Sequence, residues 1–330
     1  MAPFIPYTVQ KAPRALAVSK LAAPYPAAVD VRRGTVIDPG LAQWLEVISG
    51  GPPARELGAE ALRAPRSRPP GPDLESVRDI AIPGDPALPA RLYHPAPEPL
   101  PLVVFLHGGM WMLGDLETHD RTCRRLAYAA GVAVLAVDFR RAPEHRWPAA
   151  VDDAIRALRW AATQAETVVV AGDSSGGNLA ALACLRLRDE GGPLPAAQAY
   201  PNTDLTLAQP SIREKGTGWG LDVNDLAWAI GLWLPPGVAP ADPRVSPLHA
   251  RDLAGLPSAV VVTAEHDPLR DEGDAYAAAL AAAGIPVRHR REPALVHGFL
   301  QGVDLVSPVA AAAADRFFAD VSRGTRTPAA

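Results

Sequence analysis

Cysteine is almost missing from this chain. Its two residues, Cys123 and Cys184, lie far apart in segments of helical periodicity. That excludes a small fold stapled by disulfides and suits reduced thiols packed as small apolar groups. Long apolar runs are missing too, none approaching the ~18 residues that a bilayer-spanning helix needs, so no membrane role is expected. Met1 to Lys20 lacks the basic start and continuous apolar core of a secretion signal, and a soluble, cytoplasmic protein is expected. Charge of one sign is not in excess: charged residues make up 21% and the formal net charge is -4, which argues against disorder and against nucleic acid as a partner. Lysine is scarce, and the arginines are scattered among acids and prolines as solvated faces. There is no internal repeat.

What remains is a globular composition, 48% hydrophobic over 330 residues, enough for one large α/β domain with an accessory piece. Residues 1–72 are rich in Pro and Ala. They contain one amphipathic helix, with Leu41, Trp44, Leu45 and Ile48 at helical spacing before Gly50-Gly51, then a Pro/Arg-rich linker from Ala64 to Pro72. Ser76 to Ile82 and Ala90 to His94 read as an antiparallel pair at a sheet edge. From Leu102 onward strands and helices alternate. Leu102 to Leu106, Gly131 to Val137, Thr167 to Ala171, Ala196 to Tyr200, Ala259 to Ala264 and Val287 to Arg291 are strands, and the apolar runs show no alternation, as expected of strands covered on both faces. The rhythm predicts an α/β fold with a doubly wound, mostly parallel sheet that binds ligands at the carboxyl ends of its strands. Residues 201–247 interrupt it after the sixth strand with a loop and a Trp-rich helix carrying Val223, Leu226, Ala227, Ile230 and Trp233 on one face. The expected division is therefore a lid segment and linker at 1–72, a core at 73–200 and 248–330, and a lid insertion at 201–247. Trp44, Trp219, Trp228 or Trp233 would line an apolar acyl pocket beneath that lid, or pack the lid's own small core.

The chemistry centres on Gly172-Asp173-Ser174-Ser175-Gly176, a G-x-S-x-G between a buried strand and a helix. Such a nucleophile elbow holds its central residue in a strained conformation, and glycines two positions away avoid backbone collisions. Ser174 is that residue. A serine hydroxyl needs a base, a carboxylate to orient the base, and donors for the developing oxyanion. Acids follow the strand ending at Ala264, in Glu265-His266-Asp267, and His297-Gly298-Phe299 follows the last strand. The order Ser174, Asp267, His297 is the serine, acid, histidine order of α/β-hydrolases. Glu265 and His266 stand as alternatives to the acid and the base. His94, His119, His145, His249 and His289 read as surface or structural. After the strand ending at Leu106, His107-Gly108-Gly109 can turn backbone N–H groups towards the reacting carbonyl, with the Ser175 N–H beside them.

Five stretches together resemble the hormone-sensitive lipase family of esterases, the bacterial family IV enzymes. They are His107-Gly108-Gly109-Met110-Trp111, Asp138 to His145, Gly172 to Ala180, Asp267 to Gly273, and His297-Gly298-Phe299. The resemblance implies an α/β-hydrolase fold and a serine carboxylesterase acting on short- to medium-chain acyl esters through an acyl-enzyme. Ser174, Asp267 and His297 would be catalytic, with Gly108, Gly109 and Ser175 at the oxyanion hole and Asp138, Arg140 and Glu144 as structural ion-pairing residues. Neither cofactor nor metal is implied; the partner would be a small-molecule ester, and the resemblance points to a homodimer. Met110, where the family has a third glycine, would be strained by a positive φ; it and Trp111, Trp219 and Trp233 are the substrate-pocket candidates. Ser175 stands for alanine and Phe139 for tyrosine. The same site would serve a tailoring deacetylase, lactonase or acyltransferase, and the scaffold a non-catalytic receptor, although a receptor is expected to lose a triad member.

Overall fold

The computed structural model describes residues 30–32, 35–65, 68–97, 99–192, 196–199 and 201–324. The described residues open with a short antiparallel pair, β1 (Asp30–Arg32) and β2 (Thr35–Ile37), followed by α1 (Pro39–Ser49) and α2 (Ala54–Leu62). Asp38 caps α1 by accepting the Leu41 N–H at 3.0 Å, and Pro39 supplies a first-turn residue with no N–H to satisfy. Leu41 and Leu45 are buried, so the helical periodicity of this segment does bury a face.

The core then runs β3 (Ser76–Ile82), β4 (Leu88–His94), β5 (Leu102–Leu106), α3 (Leu116–Ala130), β6 (Ala133–Val137), α4 (Ala149–Ala161), β7 (Val168–Asp173), α5 (Ser175–Asp189) and β8 (Ala196–Ala199). Helices α6 (Pro210–Lys215) and α7 (Val223–Trp233) follow, then β9 (Ala259–His266), α8 (Arg270–Ala282), β10 (Val287–Val296) and α9 (Pro308–Gly324). The eight strands β3 to β10 form one sheet in the order β10-β9-β8-β7-β5-β6-β4-β3. Only β3 and β4 are antiparallel to their neighbours, at the edge where their Pro- and Gly-bounded sequences place them. The interruption follows β8, the sixth strand of this sheet.

Alternate residues of one strand serve opposite cores. Leu102, Val104 and Leu106 of β5 join the cluster with α4, α5 and α8, whereas Val103 and Phe105 join the cluster with α3 and α9. Helix α5, which follows Ser174, is buried along most of its length; the site is thus seated on an element fixed on several sides. On α7 the buried face is Leu226, Ala229, Ile230 and Trp233, while Ala227 points outward. The i, i+3, i+4, i+7 row fits a helix better than the expected set.

The two segments outside the α/β count touch one another. Asp225 of α7 accepts the Ala54 N–H at 2.8 Å and the Arg55 N–H at 3.1 Å, and pairs with the Arg55 guanidinium at 2.9 Å, so it caps α2 from across the chain. A side chain at Gly220 would contact Trp44 and Ile48 of α1. Among the described residues no helix is long and apolar enough to cross a membrane.

Candidate active site

Ser174 lies between β7 and α5 at φ 53° and ψ -123°, a conformation that side-chain-bearing residues rarely adopt. The flanking glycines are required by contact. A methyl group at Gly172 would run into the Gly176 backbone, and one at Gly176 into the Leu106 carbonyl. The turn therefore closes only without those side chains.

His297 reaches this serine from the loop after β10, its Nε2 2.9 Å from Ser174 Oγ. Its Nδ1 is 2.8 Å from Asp267 Oδ2. A carboxylate can only accept, so Nδ1 carries the proton and Nε2 is left to accept from the serine hydroxyl. Asp267 is fully buried, and its other oxygen accepts the Leu269 N–H at 2.8 Å, which fixes the carboxylate as well as the ring. The structure thus brings together all three residues predicted from their order.

The two alternatives do not compete. His266 turns away and stacks on Trp219 with ring centroids 4.4 Å apart. Burial, with a contribution from Lys215, pulls its pKa down to about 4. Glu265 spends one oxygen on the Ala294 N–H, 2.7 Å away, in the irregular stretch of β10 where Ala294 has φ 59°. It braces the His297 loop instead of facing the imidazole. His107 stacks on Phe139 at 4.2 Å, and burial lowers its pKa to about 3, so it packs the loop as a neutral ring. His119 is buried beside it, with centroids 5.3 Å apart.

The donor loop departs from expectation at one residue. The Gly108 N–H donates to Asp173 Oδ1 at 2.9 Å and is not available to a substrate oxygen. The N–H groups of Gly109 and Met110 have no acceptor among the described residues, and that of Ser175 opens a helix, where N–H groups lack intrahelical partners. Met110 has φ 56°, the strained value its place in the loop implied, and Trp111 shares it. The Ser175 hydroxyl is buried without a hydrogen-bond partner among the described residues.

The aromatic pocket candidates are core residues. Trp111 and Trp233 stack at 4.4 Å and are buried, and the Trp111 indole N–H donates to Asn178 at 3.1 Å. Trp219 lies in the cluster containing Leu41 and Leu45. A cavity of about 430 Å³ instead lies beside the donor loop, lined by Leu62, Arg63, Gly108, Gly109, His119 and Gln301 among others; none of Met110, Trp111, Trp219 and Trp233 lines it. Large flat rings at helical or strand-end positions bury most surface by stacking on each other, and here that outweighs lining a cavity.

The three ion-pairing residues sit on structural bonds. Arg140 holds Asp153 through two nitrogens at 2.9 Å, Asp138 lies 3.3 Å from Arg141, and Glu144 pairs with Arg63 at 2.8 Å. Four polar residues had no role in the sequence reading. Asp173 and Asn178 lie inside the elbow motif. Gln301 carried no signal beyond following His297-Gly298-Phe299. Glu272, whose carboxyl is pushed well up by burial, gathers the Asn202 amide at 2.9 Å and the Thr203 N–H at 2.6 Å, fastening the start of the insertion to α8. Among the described residues no group of three or more His, Cys, Asp or Glu side chains could hold a metal ion.

Residues 103–301 match a family model described as α/β-hydrolase fold. The carboxylic ester hydrolase LipN of Mycobacterium tuberculosis is 47% identical over 249 residues, which span 70% of this chain and 66% of LipN. The carboxylesterase NlhH of the same species is 39% identical over 311 residues, 87% of this chain and 96% of NlhH. Among solved structures, the hyperthermophilic esterase of Pyrobaculum calidifontis superposes with a TM-score of 0.78 at 33% identity, covering 87% of this chain and 98% of its own.

Proposed function

The chain belongs to the α/β-hydrolase fold family, among its carboxylic ester hydrolases, and we propose that it cleaves short- to medium-chain acyl esters of small alcohols through an acyl-enzyme formed on Ser174. His297 is the general base and Asp267 the carboxylate that holds the imidazole. One observation carries this reading: the unbroken relay from Ser174 Oγ to His297 at 2.9 Å and from His297 to Asp267 at 2.8 Å.

The chemistry follows from the relay. As Oγ attacks the ester carbonyl, its proton passes to His297 Nε2 and the carbonyl electron pair moves onto oxygen. The N–H groups of Gly109, Met110 and Ser175 receive that oxyanion, with Gly108 replaced in the role by Met110. Collapse breaks the bond to the alcohol, which leaves with the proton from Nε2. A water then repeats the sequence and frees the acid. Asp267 stays ionised throughout and stabilises the imidazolium.

The lid is residues 1–72, of which 1–29, 33, 34, 66 and 67 lie outside the described residues, together with 201–247. Asp225 joins the two segments, and Leu62 and Arg63 border the cavity next to the donor loop, which supports a cover over that side of the site.

Ser174→Ala is expected to lower turnover of an aryl acetate by roughly 10³-fold or more. Wild-type protein should be labelled by a fluorophosphonate at Ser174. Hydrolysis surviving in the variant at the wild-type rate would overturn the assignment.

A further inference from the structure

Met110 and Trp111 are consecutive side-chain-bearing residues in the left-handed region, preceded by Gly109 at φ 138°. Such a run persists only where its surroundings over-determine it. On one side of the run, the Gly108 N–H donates to Asp173 Oδ1 at 2.9 Å; at its end, the Trp111 indole N–H donates to Asn178 Oδ1 at 3.1 Å. Both acceptors flank Ser174, Asp173 one residue before it at the end of β7 and Asn178 four after it in the first turn of α5. From this geometry we propose that Asp173 and Asn178 are positioning residues for the oxyanion donors, fixing the Gly109 and Met110 N–H groups relative to the nucleophile; the inference rests on the donor assignment made above.

Each anchor is itself held. Asp173 Oδ2 accepts from the Gln301 amide, four residues beyond His297, and the His119 ring lies 3.6 Å from Oδ1. Burial pushes the Asp173 carboxyl up, but His119, Gln301 and the Gly108 N–H outweigh it and hold the group below its usual range. The Asn178 amide donates to the Asn202 carbonyl at 2.7 Å and the Val245 carbonyl at 3.0 Å. The fit at Gly108 leaves no slack, since a methyl group there would meet both the Asp173 carboxylate and the Gln301 amide. Bonds from the Ala142 N–H to the Trp111 carbonyl and from Arg63 to the Met112 carbonyl secure the far end of the loop, but neither reaches Ser174. The nucleophile, the donors and the base loop therefore share one buried carboxylate. Donors aimed in advance act on the transition state more than on the bound ester, so loosening them should lower kcat and leave KM alone.

The test uses the full chain with Asp173→Ala and, as a milder probe that keeps an aromatic ring but removes the indole N–H with part of the ring, Trp111→Phe. Hydrolysis of an aryl acetate is measured beside inhibition by a trifluoromethyl ketone, which forms a tetrahedral adduct on serine. Expected are a fall in kcat of roughly 10²-fold for Asp173→Ala and about 5-fold for Trp111→Phe, with KM changed by less than about twofold. The ketone should weaken by the same factor as kcat/KM, and Asp173→Asn, which keeps an oxygen for the Gly108 N–H, should recover most of the loss. Unchanged kcat and ketone affinity in folded Asp173→Ala or Trp111→Phe, or a loss confined to KM, would overturn the inference. If Asp173→Ala does not fold, Trp111→Phe decides by the same two readouts. Failure of fluorophosphonate to label wild-type Ser174 would overturn the site assignment itself, a result distinct from either.

Discussion

Two strained turns meet at Ser174, and they carry their strain in opposite ways. At the elbow, the positive φ of Ser174 is made tolerable by removing atoms: Gly172 and Gly176 leave room for backbone to lie against backbone. At the donor loop, the same left-handed conformation falls on Met110 and Trp111, which keep their side chains and are held by hydrogen bonds. A positive-φ residue with a Cβ costs roughly 1–2 kcal/mol, so the elbow carries that cost once and the donor loop twice. The difference lies in what each can survive. Strain accommodated by space is sensitive to an added methyl group, whereas strain held by bonds is sensitive to a lost donor or acceptor.

The largest test of this contrast is Gly176→Ala. Its methyl group would meet the Leu106 carbonyl, in backbone that cannot step aside. A loss of roughly 3 kcal/mol is expected, seen as a lower melting temperature together with lost ester hydrolysis. An unchanged melting temperature would mean that the elbow has room after all. A smaller effect is expected at Met110. Met110→Gly should keep kcat within about twofold, because the donor is a backbone group and glycine accepts the positive φ. Met110→Val places a β-branched side chain there and should lose about 1–2 kcal/mol by denaturant titration, with kcat falling too. Equal behaviour of the two variants would show that the loop is not strained.

The smallest effect on hydrolysis is expected at His266, next to the triad acid, where neither device operates. The ring stacks on Trp219, and neither nitrogen has a hydrogen-bond partner among the described residues. Unfolded, it takes up a proton near pH 6.5; folded, burial delays protonation to about 4. Between those values the unfolded chain binds more protons, so stability falls as pH drops through that window. His266→Phe should narrow the difference in melting temperature between pH 7 and pH 4.5 while leaving hydrolysis at pH 7 intact. A wider difference would contradict the neutral, buried assignment.

The same contrast explains what could be read from sequence. The elbow was legible because its requirements are local: glycines at fixed offsets, a β-branched strand before and a helix after. The triad was legible for a related reason, since the acid and the base each follow a strand whose apolar run marks where the sheet ends. The parallel sheet followed from uninterrupted apolar strands, and its antiparallel edge from Pro and Gly punctuation. The donor loop was only half legible. Positive φ at Met110 follows from its place in the glycine-rich turn, but the loss of the Gly108 N–H depends on Asp173, a residue 65 positions away, and nothing in the local pattern reports that bond. The tryptophans could be read either way, because burial in a core and burial beneath a substrate have the same sequence signature. Trp111 and Trp233 are 122 positions apart, and only the fold shows that they stack.

The Asp225 cap on α2 has a consequence for how the molecule is made. The bond joins residues 171 positions apart, and the receiving helix lies near the start of the chain. During synthesis residues emerge in order, so α2 leaves the ribosome long before its cap exists. At nine residues, it is too short to hold its shape alone in water. Its N-terminal cap is completed only once α7 has been made, after β3 to β8 and the whole of α5. The end of α2 that follows, where Arg63 bonds Met112 and Glu144, has its partners earlier, so the two ends of one short helix are supplied by segments made at different times.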